Sequence, residues 1–96
     1  MTKVELVVTR HPALVAHLLA LGLVDESVAV LSHASEADVA GKHVAGVLPL
    51  RLAALAASVT EVPLALTAEH RGVELDLATV QALAGEPVTY VVTRQK

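Results

Sequence analysis

Arg10 and His11 stand side by side between a valine-rich run and a proline, in the string Val7-Val8-Thr9-Arg10-His11-Pro12. A guanidinium presents a planar fork that grips phosphate oxygens, and an imidazole titrates near neutrality and can move a proton. The run before the pair reads as a strand and the residues after Pro12 have helical spacing, so the pair sits where a strand passes into a helix. At such a junction the first helical N–H groups lack partners within the helix and favour an anion above the strand's carboxyl end. Pro12 suits the first helical position because it has no N–H to leave unpaired. The chemistry on offer is phosphate binding, with proton transfer as an extension of it. The plain alternative is that Arg10 and His11 are ordinary polar loop residues closing a sheet.

The elements that must position this pair follow from hydrophobic spacing. Lys3 to Thr9 reads as a buried parallel strand. From Pro12 to Leu21 the residues Leu14, Val15, Leu18 and Leu19 fall on one helical face, and Gly22 ends the helix. Ser27 to Leu31 is a second strand, followed by a polar loop, Ala34 to Gly41, with room for one helical turn. Lys42 to Val47 is a third strand. Leu50 to Ser58 is a helix with almost no polar face, Val62 to Thr67 a fourth strand entered through Pro63, and Asp76 to Ala84 a helix with Asp76 as N-cap and Gly85 past its end. Pro87 to Thr93 is a fifth strand. Strands alternating with short helices imply right-handed crossovers and a mostly parallel sheet covered on both faces. The expectation is one three-layer, Rossmann-like α/β domain over residues 1–96, with about five strands.

In a parallel sheet the loops after successive strands gather at its carboxyl edge, where ligands of open α/β sheets bind. Those loops carry Arg10, His11, His33, Arg51, His70 and Arg71, which are three of the four arginines and three of the five histidines. Elsewhere, His17 reads as a surface or interface residue of the first helix, His43 as a structural residue at a strand start, and Thr9 as a hydroxyl beside the pocket.

Composition removes several function classes. A formal charge of −3 over 96 residues argues against a binder of long nucleic acid, which needs a broad basic surface. With one Tyr and neither Phe nor Trp, base stacking on aromatic rings is nearly unavailable. The absence of cysteine excludes disulfides and thiolate chemistry and suits a reducing cytoplasm. No apolar run reaches a membrane span, and the start of the chain reads directly into a strand without a leader, so a soluble cytoplasmic protein is expected. The histidines are scattered singly and no acidic cluster accompanies them, so neither a metal nor a cofactor is expected. A Gly-rich dinucleotide fingerprint and a P-loop are absent.

Three segments carry a family resemblance. Val8-Thr9-Arg10-His11-Pro12-Ala13 is similar to an S-R-H-P-G-type opening, Gly46-Val47-Leu48-Pro49-Leu50-Arg51-Leu52-Ala53-Ala54 to a G-T-L-P-V-x-L-A-A segment, and Arg71-Gly72-Val73-Glu74-Leu75 to an R-G-x-E-L segment. In this order they resemble a family of very small CRISPR-associated proteins of type III systems, related in fold to the CRISPR-associated Rossmann-fold (CARF) sensor domains. The resemblance spans nearly the whole chain and implies a CARF-like domain. It further implies a homodimer that binds a cyclic oligoadenylate, foremost cyclic tetra-adenylate, and cleaves it as a metal-independent ring nuclease. The chain departs from the family pattern at Thr9, which stands for serine, at His17, which stands for an aromatic residue, and after His33, where the usual leucine is missing.

On this resemblance Arg10 and Arg71 hold the scissile phosphate, Thr9 and the first helix's N-terminus assist, and His11 is the acid/base candidate. His33, Pro49, Arg51 and His70 are assigned to ligand binding. A ribose 2′-hydroxyl held in line with the adjacent phosphate attacks it without water or metal, so alignment and charge stabilisation supply the acceleration. Two rivals use the same residues. One is a cyclic-nucleotide sponge or sensor that binds without cutting. The other is a phosphoryl-transfer protein akin to the histidine phosphatases, against which stand Pro12, where that family has glycine, and the short chain. A structural or partner-binding module is the remaining alternative.

Overall fold

The strand β1 (Leu6–Val8) is buried at all three positions, which is what a strand with neighbours on both edges and layers on both faces requires. Its side chains divide by the two-residue period of a strand. Leu6 and Val8 pack with Val44, Val59, Val39 and Leu52, whereas Val7 packs with Val4, Leu18 and Ala45. The computed structural model describes residues 4–67, 69 and 74–95. After β1 come α1 (Pro12–Ala20), β2 (Ala29–Leu31), α2 (Glu36–Val39), β3 (His43–Gly46), α3 (Leu50–Ala53), β4 (Ser58–Glu61), α4 (Leu77–Leu83) and β5 (Val88–Tyr90).

The sheet order is β2-β1-β3-β4-β5. β1 runs parallel to both β2 and β3, and β3 runs parallel to β4. β5 closes the sheet antiparallel to β4, with Thr60 opposite Thr89 and their hydroxyls 2.8 Å apart. Val39 of α2 and Leu52 and Ala53 of α3 belong to the cluster on one face, while Leu18 of α1 lies in the cluster on the other. Ala13 of α1 packs in turn with Leu75 and with Val80 of α4. The chain is therefore a small α/β domain with a five-stranded, mostly parallel sheet and helices on both faces. Among the described residues no helix is long and apolar enough to cross a membrane.

Several elements depart from the sequence reading. The helix expected over Leu50 to Ser58 ends at Ala53. The residues after it are claimed by the start of β3: Gly41 N–H donates to Leu55 O at 3.0 Å and Ala57 N–H to Lys42 O at 2.8 Å. Ser58 brings its hydroxyl within 2.7 Å of His43 Nδ1, so tertiary hydrogen bonds override the helical composition. The fourth strand is Ser58–Glu61, not Val62 to Thr67. Pro63 has no N–H for a ladder, and beyond it Leu64 makes only an isolated bridge to Ala84.

The polar loop after β2 does hold one turn, closed by a reciprocal capping box in which Ser35 and Asp38 bond each other's backbone N–H. Asp76 caps α4 by accepting from Thr79 N–H at 2.7 Å. His17 is a further correction. It is buried, not at the surface, because it lies one turn from Ala13, whose side of α1 packs beside α4. The outward apolar residue of α1 is Leu19. No spacing rule within α1 announces a second helix alongside it.

Candidate functional site

From β1 the chain crosses to β2 on one side of it, and from β3 it crosses to β4 on the other. In open α/β sheets the strand order reverses at such a point, and the diverging connections leave a crevice at the carboxyl ends of the two strands. A cleft of 580 Å³ opens there. Strand register sets its layout. Val8 is level with Leu31 and with Gly46, and Ala45 with Thr60, so the next residues, Gly46 and Glu61, also stand level. Thr9, Arg10 and His11 line one wall of the cleft with Leu14 of α1, and Glu61 to Leu64 line the opposite wall.

Gly46 is the floor between them. Its φ is +132°, and a Cβ there would lie 2.1 Å from the carbonyl oxygen of Val8. Only glycine leaves β3 this close to β1 with nothing projecting into the crevice. The bare floor and the packed strand pair beneath it have one cause.

Thr9 extends the ladder past β1, its N–H donating to Leu31 O at 2.9 Å, and its hydroxyl oxygen accepts from His11 N–H at 3.1 Å. This fixes the turn and leaves the Thr9 hydroxyl proton free to donate. His11 is the N-cap of α1 in extended backbone, Pro12 follows in the first turn, and no side chain caps the helix. Arg10 turns toward the end of β2, where Nη2 lies 3.3 Å from His33 Nε2. The structure thus unites Thr9, Arg10, His11 and His33. On the other side of Arg10 lies a second depression of 580 Å³, floored by Pro12, Val15, Leu19 and Val30.

Other expected site residues lie apart. Pro49 is the N-cap of α3, and Arg51 on that helix forms an ion pair with Glu36 Oε1 at 3.0 Å. Arg51 lines a separate depression of 650 Å³ with Leu50, Leu55, Val92 and Arg94. His70 and Arg71 lie outside the described residues. Ser32, Gly46 and Glu61 line the cleft without having been singled out. Glu61 was legible in principle, since the run Ser58-Val59-Thr60 before it carries two β-branched residues and would have placed it at a strand's carboxyl end. Among the described residues no group of three His, Cys, Asp or Glu side chains is placed to hold a metal ion.

A phosphate is the ligand chemistry that this wall and the adjoining end of β2 offer: a guanidinium, the imidazoles of His11 and His33, a hydroxyl and a helix start without a side-chain cap among the described residues. No curated protein and no solved structure matches the chain. The sequence model of one family, described as "Putative CRISPR-associated protein (Cas_VVA1548)", matches residues 6–93. That span covers nearly all of the 96 residues, and the chain belongs to this CRISPR-associated family.

Proposed function

We propose that the protein binds a cyclic oligoadenylate, cyclic tetra-adenylate foremost, in the cleft between β1 and β3 and cleaves it without metal. The observation that carries this reading is the convergence of Thr9, Arg10 and His11 at the switch point of the sheet, with His33 bonded to Arg10. Membership of a CRISPR-associated family is consistent with it. The 2′-hydroxyl of one ribose attacks the neighbouring phosphorus, the P–O5′ bond breaks, and the products are linear and end in a 2′,3′-cyclic phosphate. Arg10 holds the non-bridging oxygens and stabilises their growing charge. His11 takes the proton of the attacking hydroxyl or supplies one to the leaving oxygen. The apolar depression beside Arg10 offers a shelf for an adenine face without aromatic stacking. A homodimer, with two such edges around one ring, is part of this reading. Val47 at the cleft and Leu50 at the start of α3, each 76% exposed, leave apolar surface for a second copy to cover.

A second reading, sequestration without cleavage, is favoured by one observation. The His11 imidazole has no orienting hydrogen bond among the described residues, whereas catalytic bases are commonly held by a third group. Incubation with cyclic tetra-adenylate in EDTA, followed by liquid chromatography and mass spectrometry, separates the two. Linear fragments with 2′,3′-cyclic phosphate ends support the nuclease, intact ligand that co-migrates with the protein supports the sponge, and intact unbound ligand overturns both.

A further inference from the structure

Arg10 and His33 hold each other with no carboxylate of the described residues between them. A guanidinium has donors only, so in the 3.3 Å contact the imidazole Nε2 must be the acceptor. The contact as it stands uses the lone pair of the imidazole Nε2. A protonated imidazole would have no lone pair to offer and would set like charges against each other.

The charged groups on the adjoining elements are accounted for. His11 shares the β1–α1 turn with Arg10. Glu36 on α2 is paired with Arg51 of α3 at 3.0 Å. Asp38 on α2 accepts from the backbone N–H and the hydroxyl of Ser35 at 2.8 and 2.9 Å, and Lys42 beyond α2 acts on Asp38. Among the described residues neither carboxylate bonds His33 or Arg10; both side chains are exposed, Arg10 on the cleft wall and His33 beyond the end of β2. Glu61 at the end of β4 lies on the opposite wall of the cleft, so none of these three carboxylates bridges Arg10 and His33, and an anion from outside the chain would satisfy both side chains at once.

We propose that Arg10 and His33 form a proton-coupled phosphate clamp. A phosphate entering between them replaces the imidazole as the acceptor for Arg10. His33 then takes one proton from solvent at Nε2 and becomes a second donor to the same phosphate. The guanidinium stays charged throughout, and the complex gains one proton for each phosphate clamped. This rests on the reading of the cleft as a phosphate site and adds to it a regulation by pH: affinity falls as pH rises.

The test measures the dissociation constant of the 2′-deoxy analogue of cyclic tetra-adenylate from pH 6 to pH 8.5. The analogue keeps the phosphates and lacks the attacking hydroxyl. One coupled proton weakens binding by up to about tenfold per pH unit above neutrality. Titration calorimetry in buffers of different ionisation enthalpy is expected to show proton uptake approaching one per clamped phosphate. His33→Gln keeps a carbonyl for Arg10 but cannot charge, so it flattens the pH profile and loses roughly tenfold in affinity at pH 6.5. A flat profile in the wild type, or a slope that survives in His33→Gln, overturns the clamp while leaving the phosphate site standing. Failure to bind at every pH overturns the phosphate reading and the clamp together.

Discussion

Two strand-to-helix turns lie side by side at the carboxyl edge of the sheet, after β1 and after β3, and each carries one proline and one arginine. After β1 the arginine precedes the proline, in Arg10-His11-Pro12. After β3 it follows, in Pro49-Leu50-Arg51. Arg10 thus stays in the turn, at the level of the strand ends, and meets an imidazole beyond the end of β2. Arg51 is carried onto the helix, where it pairs with Glu36 over a different depression, both side chains about two-thirds exposed. The same residue types, one strand apart, yield an arginine in contact with an imidazole and an arginine matched with a carboxylate. Position relative to the proline decides which.

The sharpest test of this contrast is turnover. Arg10→Ala is expected to cut cleavage of cyclic tetra-adenylate by roughly 10²-fold or more, the usual scale for losing one donor to a developing charge. Unfolding by urea should stay within about 0.5 kcal/mol of wild type, as for exposed positions generally. Arg51→Ala is expected to leave single-turnover rates within about twofold. Equal losses in the two variants would erase the distinction.

Next in size is the floor between the turns. Gly46→Ala must displace Val8 or abandon its φ of +132°, and a loss on the order of 3 kcal/mol in urea unfolding is expected. Ser35→Ala removes the cap of α2, the helix that carries Glu36, and should cost about 1 kcal/mol. Arg51→Ala should change stability by less than about 1 kcal/mol, since its ion pair is solvent-screened.

The smallest effect concerns the two capping carboxylates. Hydrogen bonds from Ser35 hold Asp38 below its ordinary value of 3.8, and bonds from Thr79 do the same for Asp76. A carboxyl lowered in the folded state stabilises it at pH values above the ordinary carboxylate range, and that contribution is lost as pH falls through the lowered values. Thermal melts from pH 5 to pH 2.5 should therefore show a shallow decline, flattened in an Asp38→Asn, Asp76→Asn double variant.

The β1–α1 junction was legible in the sequence because its signals are local: a valine run, a polar pair, a proline, then helical spacing. Asp76 was legible as a cap for the same reason. What was not legible depends on distant partners. Ala54 to Ser58 read as helix until Gly41, Lys42 and His43 claim those residues, and this displaced the fourth strand by several positions and hid Glu61 at its end. Arg10 and His33 were each visible as carboxyl-edge residues. Their contact required knowing that β2 lies next to β1, which only the crossover through α1 determines. Arg51 was placed at the right edge, but its match with Glu36 belongs to packing between α2 and α3, which no spacing along the chain reveals.

The sheet order also divides the crevice between two stretches of the chain. β1, β2 and β3, with Arg10, His33 and the Gly46 floor, are encoded in one stretch that ends at Gly46, although β1 and β3 are buried against Leu52, Ala53 and Val59 that follow it. The opposite wall, Glu61 to Leu64, is encoded afterwards and arrives only when β4 adds to β3. The cations and the wall that faces them thus come from separate stretches of chain, and the pairing of β4 with β3 is what brings the two together.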